Sequence, residues 1–204
     1  MSTVNASGLH TTPVVPPLPS HQISVQEYHE MIRKGTLTED GAVELLEGWI
    51  VHKMSRKPQH DTAIELAEAS LRPLLPPGWR VRVQCGITTG DSEPEPDLSV
   101  VAGDLRAFVN RHPGPSDIGL LIESAESSLD SDRVIKGRIY ARANLLEFWI
   151  INLVDRQVEV YSDPDPLGMP PAYRRCDTYL RGQTVPLVLL AQTIAHVRVE
   201  DLLP

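Results

Sequence analysis

Two stretches decide the reading of this chain: Glu93-Pro94-Glu95-Pro96-Asp97-Leu98-Ser99-Val100-Val101 and Ile118-Gly119-Leu120-Leu121-Ile122-Glu123. Pro96 has no amide donor and pushes the residue before it toward an extended backbone, so Asp97 opens a short strand at an edge or mouth. The second stretch is a continuous apolar run, the pattern of a strand buried on both faces, and Glu123 closes it. A carboxylate ending a buried strand is costly unless it is paired or metal-bound. If the two strands are neighbours, both carboxylates meet on one rim. Hard divalent ions bind such oxygens, and Mg²⁺ takes one or two carboxylates while keeping waters for substrate phosphates.

Working outward, a helix is expected from about Asp130 to Ala143. Lys136 sits one turn into it, with Tyr140 at i+4 on the same face. This position aims Lys136 back at the rim, where an ammonium orients a water or offsets charge on a phosphate. Taken singly, Asp97 is an ordinary turn residue, Glu123 a half-exposed strand end and Lys136 a solvated lysine. The case rests on their order along the chain.

Upstream, Ser24-Val25-Gln26-Glu27 is a capping-box pattern that starts a short helix carrying Tyr28, Met31 and Ile32 and ending at Gly35. Val43–Val51 reads as two strands around a Glu47-Gly48 turn, and a helix is expected from Pro58 to Leu75, stopped by Pro76-Pro77-Gly78. Alternation predicts a strand over Trp79–Thr89. Downstream, Glu147–Leu153 and Gln157–Ser162 form a strand pair, Asp163–Pro171 a proline-bearing loop, and the remainder two more strands and a short helix or turn at Val199–Leu203. This order predicts an α/β domain over residues 23–204, with a mixed sheet flanked by helices. Residues 1–22 read as a flexible tail, in which Val14–Leu18 is the segment suited to clasp a partner.

With 204 residues, 41% hydrophobic and 23% charged, the chain is globular in composition. Its net charge of −8 argues against a tight, sequence-independent nucleic-acid binder. It argues less against a nuclease, because an empty metal cleft is itself acidic and local arginines can meet the phosphates. Arg80, Arg82, Arg106, Arg111, Arg133, Arg138 and Arg142 are the candidates. Cys85 and Cys176 have no metal-ligand spacing and are expected as reduced thiols, with Cys85 in a strand. No run has the length of a membrane span and the start lacks signal-peptide character, so a cytoplasmic location is the expectation.

Five stretches together resemble a known family: Val43-Glu44-Leu45-Leu46-Glu47-Gly48; Glu93 to Val101; Leu121-Ile122-Glu123-Ser124; Asp132-Arg133-Val134-Ile135-Lys136; and Tyr140-Ala141-Arg142-Ala143 followed by Glu147-Phe148-Trp149-Ile150-Ile151. They are similar to the Uma-two-type endonucleases of the PD-(D/E)xK, restriction-endonuclease-like superfamily. The resemblance implies a restriction-endonuclease-like mixed β-sheet and a Mg²⁺- or Mn²⁺-dependent phosphodiesterase site. Asp97 and Glu123 match the acidic pair, and Glu44 a further metal ligand. Where the superfamily usually places lysine, this chain has Ala125; Lys136 matches a lysine displaced onto the next helix. Ile135 and Gly137 also depart from the family's pattern, and Gly137 costs the helix about 1 kcal/mol relative to Ala.

His60 at a helix start and Gln84 on the strand before the site are accessory candidates beside Tyr140. Glu47, Glu93 and Glu95 are expected as turn and loop acids, and Ser127, Ser128 and Asp130 as loop and cap residues. The activity implied is endonucleolytic cleavage of DNA, with a symmetric homodimer to cut both strands. The alternatives are a binding or assembly module that keeps the fold without robust cleavage, and hydrolysis of another phosphorylated substrate such as RNA.

Overall fold

The expected capping box forms: the Glu27 amide donates to Ser24 Oγ, and the Glu27 carboxylate accepts from the Ser24 amide at 2.8 Å, starting α1 (Val25–Arg33). The computed structural model describes residues 21–37, 43–54 and 56–204. All but the last two residues of the expected tail, including Val14–Leu18, lie outside the described residues. Strands β1 (Val43–Leu46) and β2 (Trp49–His52) form a hairpin. Glu47 and Gly48 have φ of 51° and 80°, the two left-handed residues of a turn whose twist matches the strands. Helix α2 (Pro58–Leu71) places Pro in its first turn and then tightens into a 3₁₀ turn over Arg72–Leu74, so the helix expected to Leu75 ends on the tighter winding.

The main sheet has six strands: β3 (Trp79–Val83), β4 (Leu98–Ala102), β5 (Ile118–Ala125), β6 (Glu147–Asn152), β7 (Gln157–Asp165) and β8 (Ala172–Leu180). They lie side by side in that order, antiparallel throughout except for the parallel pair β5 and β6. A parallel step needs a crossover above the sheet. It is supplied by α3 (Leu129–Ser131), a π turn over Asp132–Lys136, and α4 (Gly137–Arg142). On that face Ile139, Tyr140 and Leu145 pack on Leu121, Phe148 and Ile150. On the opposite face, Ala63, Ile64, Ala67 and Leu71 of α2 cover Val100, Ile122, Trp149 and Ile151. The same core takes in a final hairpin, β9 (Thr184–Leu189) and β10 (Gln192–Arg198), closed by a 3₁₀ turn at Val199–Asp201. Gly119 makes that approach possible, because a Cβ there would come within 2.6 Å of both Leu189 and Trp79.

Three expectations are corrected. The strand expected over 79–89 stops at Val83, because Gln84 turns left-handed at φ 48° and the Ile87 and Thr88 amides bond to Pro94 and Pro113 carbonyls instead of a ladder partner. Cys85 therefore lies beyond the strand. The loop expected at 163–171 begins as strand: past Ser162, β7 pairs only with β8, so the amide missing at Pro164 faces no ladder partner on the other side. Three strands follow rather than two, since β8 pairs along the whole of β7 and the last stretch folds as its own hairpin.

Candidate active site

Strands β4 and β5 are antiparallel neighbours with Leu98 opposite Ile122, so Asp97 sits across from Glu123 on the rim of the sheet. Strand β5 does not close at Glu123 but runs to Ala125. That extension matters, because the Ser124 amide donates to Asp97 Oδ2 at 2.9 Å, and the Asp97 amide lies 3.4 Å from Glu123 Oε2. Glu123 Oε1 accepts from Lys136 Nζ at 2.9 Å and from the Tyr140 hydroxyl at 2.8 Å. The helical i, i+4 relation thus brings both donors to one oxygen.

The crossover helix winds wide at this point. The Gly137 amide bonds to the Asp132 carbonyl, five residues back, and the π turn carries Asp132 and Lys136 inward together. Both are buried, with Lys136 Nζ 3.9 Å from Asp132 Oδ1. A Cβ on Gly137 would meet the Asp132 carbonyl at 3.5 Å and Phe148 at 4.0 Å, ordinary contacts, so close packing does not demand the glycine.

The accessory residues gather here as well. His60, in the first turn of α2, places Nε2 3.0 Å from Asp97 Oδ2. Gln84 Nε2 lies 3.5 Å from Asp97 Oδ1, while its carbonyl accepts from Arg56 at 2.5 Å. Glu44 comes from β1, and its Oε2 accepts from the Glu95 amide at 3.1 Å. Glu44, His60, Asp97, Glu123, Asp132 and Lys136 line one cleft of about 240 Å³.

Burial sets the electrostatics. Burial would raise the Asp97 carboxyl, but the His60 hydrogen bond and charge, the Ser124 amide and the Lys136 charge outweigh it and hold Asp97 below its ordinary value. Glu123 goes the other way: burial pushes it well up, Lys136 pulls it down, and the Asp132 and Asp97 charges push it up again. Asp132 is raised chiefly by burial. Burial lowers His60, yet Asp97 wins and leaves it raised. Lys136 is raised because the Glu123, Glu44 and Asp132 charges outweigh its burial. The cleft therefore holds more buried acid than its cations balance.

Among the described residues, no three His, Cys, Asp or Glu side chains form a ready-made cage for a metal ion. The donor chemistry nonetheless fits a hard divalent ion bound through two carboxylates and water, since Asp97 and Glu123 offer oxygens on one rim.

Several residues go beyond the expectations. Asp132, not anticipated, sits i−4 from Lys136, a signal that helical spacing alone contained. Glu95, expected as a loop acid, lines the cleft and pairs with Lys53 at 2.5 Å. Glu93, also expected as a loop acid, is buried and bonds to His29 at 2.6 Å and Thr88 at 2.9 Å, because the proline-bearing loop folds back against β1. Glu47 is a turn residue as expected, but it binds Arg138 and Arg142 and so ties the hairpin to α4. Arg133 binds Glu159. With Arg111, which binds Asp117, four of the arginines expected to meet phosphates are thus committed to carboxylates.

Residues 25–198 match the Uma2 family, described as "Putative restriction endonuclease". The chain belongs to the Uma2 family. A crystal structure described as a putative nuclease belonging to DUF820, from Anabaena variabilis, has the same fold, with a TM-score of 0.64 at 18% identity over 88% of this chain and 97% of that one. The Uma2 chain thus has the expected fold, a mixed sheet flanked by helices. A comparison with curated proteins finds no match. Among the described residues no helix is long and apolar enough to cross a membrane.

Proposed function

We propose that this Uma2 chain is an endonuclease that hydrolyses phosphodiester bonds in DNA with Mg²⁺ or Mn²⁺ as cofactor. The observation that carries this reading is the convergence of Asp97, Glu123 and Lys136 on one rim, with Lys136 and Tyr140 sharing a single Glu123 oxygen. Asp97 and Glu123 hold the ion, with Glu44 assisting from the hairpin. Such an ion supplies Lewis-acid chemistry, making water more acidic and offsetting charge on the scissile phosphate.

Asp97, kept ionised by its partners, offers an oxygen at neutral pH. His60 orients that carboxylate through Nε2, and Gln84 steadies its other oxygen. Lys136 stands where an ammonium positions the attacking water or offsets charge building on the phosphate. Tyr140 keeps Glu123 turned toward the rim. One such site cuts one strand, so double-strand cleavage calls for a homodimer. In this reading residues 23–204 act as one domain. The thiols of Cys85 and Cys176 are unpaired, which fits a reducing compartment such as the cytoplasm.

Calorimetry with Mg²⁺ and Mn²⁺ beside a supercoiled-plasmid nicking assay tests the reading, comparing wild type with Asp97→Ala. Wild type binds the ion and nicks, and at ten times Kd the ion adds about 1.4 kcal/mol of stability. Asp97→Ala stays folded and loses binding, nicking and the metal-induced stabilisation. A wild type that binds no divalent ion at millimolar concentration overturns the proposal in favour of a binding or assembly module, the reading that the net charge of −8 favours.

A further inference from the structure

The arginines of this chain differ in their partners. Arg72, Arg133, Arg138, Arg142, Arg174, Arg175 and Arg198 each have a carboxylate partner. Arg80 and Arg82 have none among the described residues, and Arg80 Nε and one Arg82 Nη are buried without any hydrogen-bond partner. Both guanidinium groups stack on the same ring, 5.3 and 5.2 Å from the centroid of Phe108, where Arg111 joins them at 5.1 Å. Arg111 is neutralised by Asp117, to which it donates two hydrogen bonds. Among the described residues, two uncompensated cations are therefore held against one aromatic ring in a chain whose net charge is −8. Like charges so close repel, and a bound anion relieves that repulsion.

Their place on the sheet is specific. Val81 of β3 points into the α2 core, so Arg80 and Arg82 point to the other face. Arg82 pairs with Ser99, and the Gln84 amide bonds to the Asp97 carbonyl. Stepping along that edge from the catalytic rim, the chain presents Gln84 beside Asp97, then Arg82, then Arg80, on the face that carries Asp97 and Glu123. A cleft of about 650 Å³ opens there, lined by His29, Arg82, Thr88, Phe108, Arg111 and His112. Glu93, the acid behind His29 and Thr88, is already bonded to both, with His112 Nε2 3.7 Å away.

We propose that Arg80 and Arg82, splayed on Phe108, form the docking track for the DNA backbone, gripping phosphates and leading the strand to the Asp97–Glu123 rim. This rests on the nuclease reading and deepens it by naming the surface that holds the substrate. Guanidinium forks match phosphate oxygens bidentately, and their stacking on Phe108 fixes the forks before the strand arrives. Strand β3 is the edge strand of the six-stranded sheet, so the pair stands at its margin.

The test is fluorescence anisotropy of a labelled duplex in EDTA over a range of KCl concentrations. It compares wild type, Arg80→Gln/Arg82→Gln, Arg80→Lys/Arg82→Lys, and Arg175→Gln on the far edge strand as control. The Gln pair weakens binding about tenfold or more and lowers the slope of log affinity against log salt by about 2, one per phosphate contact. The Lys pair keeps the slope and recovers part of the affinity, and Arg175→Gln matches wild type. The Lys pair also preserves the test if the Gln pair fails to fold, because an unchanged affinity for Lys at forks that should bind bidentately counts against the proposal. A Gln pair that binds like wild type, a wild type that binds no duplex, or equal displacement of the duplex by polyglutamate each overturns it. Because no metal is present, the outcomes separate. Arginine-dependent binding without nicking sinks only the nuclease reading; nicking with arginine-independent binding sinks only the track.

Discussion

Two buried glutamates stand in one row of the sheet. Glu123 on β5 pairs with Ile150 on β6, which pairs with Glu159 on β7, so both point to the face of the crossover helix. Their exposures are alike, 2% and 3%, and one π turn serves both, sending Lys136 to Glu123 and Arg133 to Glu159. Their surroundings differ. Glu159 accepts from Arg133 through two nitrogens and from Asn152, Gln157 and Tyr161. Against the raising effect of burial, these donors bring it down to about 2. Glu123 has only Lys136, Tyr140 and a long approach of the Asp97 amide, with Asp97 and Asp132 nearby, and burial keeps it well above the usual range. A carboxylate saturated with donors is a structural pin. One short of donors and crowded by acids has a reason to take a cation.

The sharpest way to break this contrast is to neutralise each glutamate in turn. Glu123→Gln is expected to lower plasmid nicking about 1,000-fold, the scale of losing a group needed in the transition state. Glu159→Gln leaves nicking within a few-fold, and equal losses in the two variants would erase the distinction. Next in size is Lys136→Met, which keeps the aliphatic stem and removes the charge. It lowers nicking about 100-fold in single-turnover rates, whereas an unchanged rate would reduce Lys136 to a partner that merely neutralises Glu123.

The third effect is on stability. Glu159 has a folded pKa near 2, below its unfolded value. Its contribution is present above about pH 4.5 and is lost as pH falls toward 2. Glu159→Gln is expected to cost about 2 kcal/mol at neutral pH, after discounting for the water that reaches Arg133, and roughly 4–8 °C in Tm. The penalty shrinks toward pH 2 in thermal melts, and a penalty independent of pH would contradict the assignment. The smallest effect has the opposite sign. Glu147, on β6 between them, is raised to about 7 by burial, and its Oε2 has no hydrogen-bond partner. The stability it confers is present below about pH 4.5 and is lost as pH rises through 7. Glu147→Gln therefore gains on wild type between pH 5 and 8 in the same melts, and a parallel pair of curves would refute this.

Much of the site was legible because short-range rules wrote it. The Asp97 strand start follows from Pro96, and the shared face of Lys136 and Tyr140 follows from helical spacing. The resemblance to the Uma2 motifs added Glu44 and His60, both of which line the cleft. Asp132 was equally available from the i, i+4 relation but lay hidden among cap-like acids. The misreadings fell where long-range contacts override local pattern. The apparent strand from 79 to 89 alternates well, yet Gln84 turns out of the ladder to meet Asp97. The prolines of 163–171 suggested a loop, yet at the outer side of β7 a missing amide costs nothing.

The sequence by itself determined the order of most helices and strands, the placing of Asp97 and Glu123 on two of those strands and the lysine facing them, because backbone sterics and periodicity act over a few residues. Only the tertiary structure decided which arginines are free among the described residues. Arg133, Arg138 and Arg142 look as available as Arg80 and Arg82 when read along the chain. Their partners, Glu159 and Glu47, lie 26 and about 90 residues away and meet them only when the crossover helix lands on the sheet and the hairpin folds against it. Charge is a property of a residue, but its cancellation is a property of distance, and folding sets the distances.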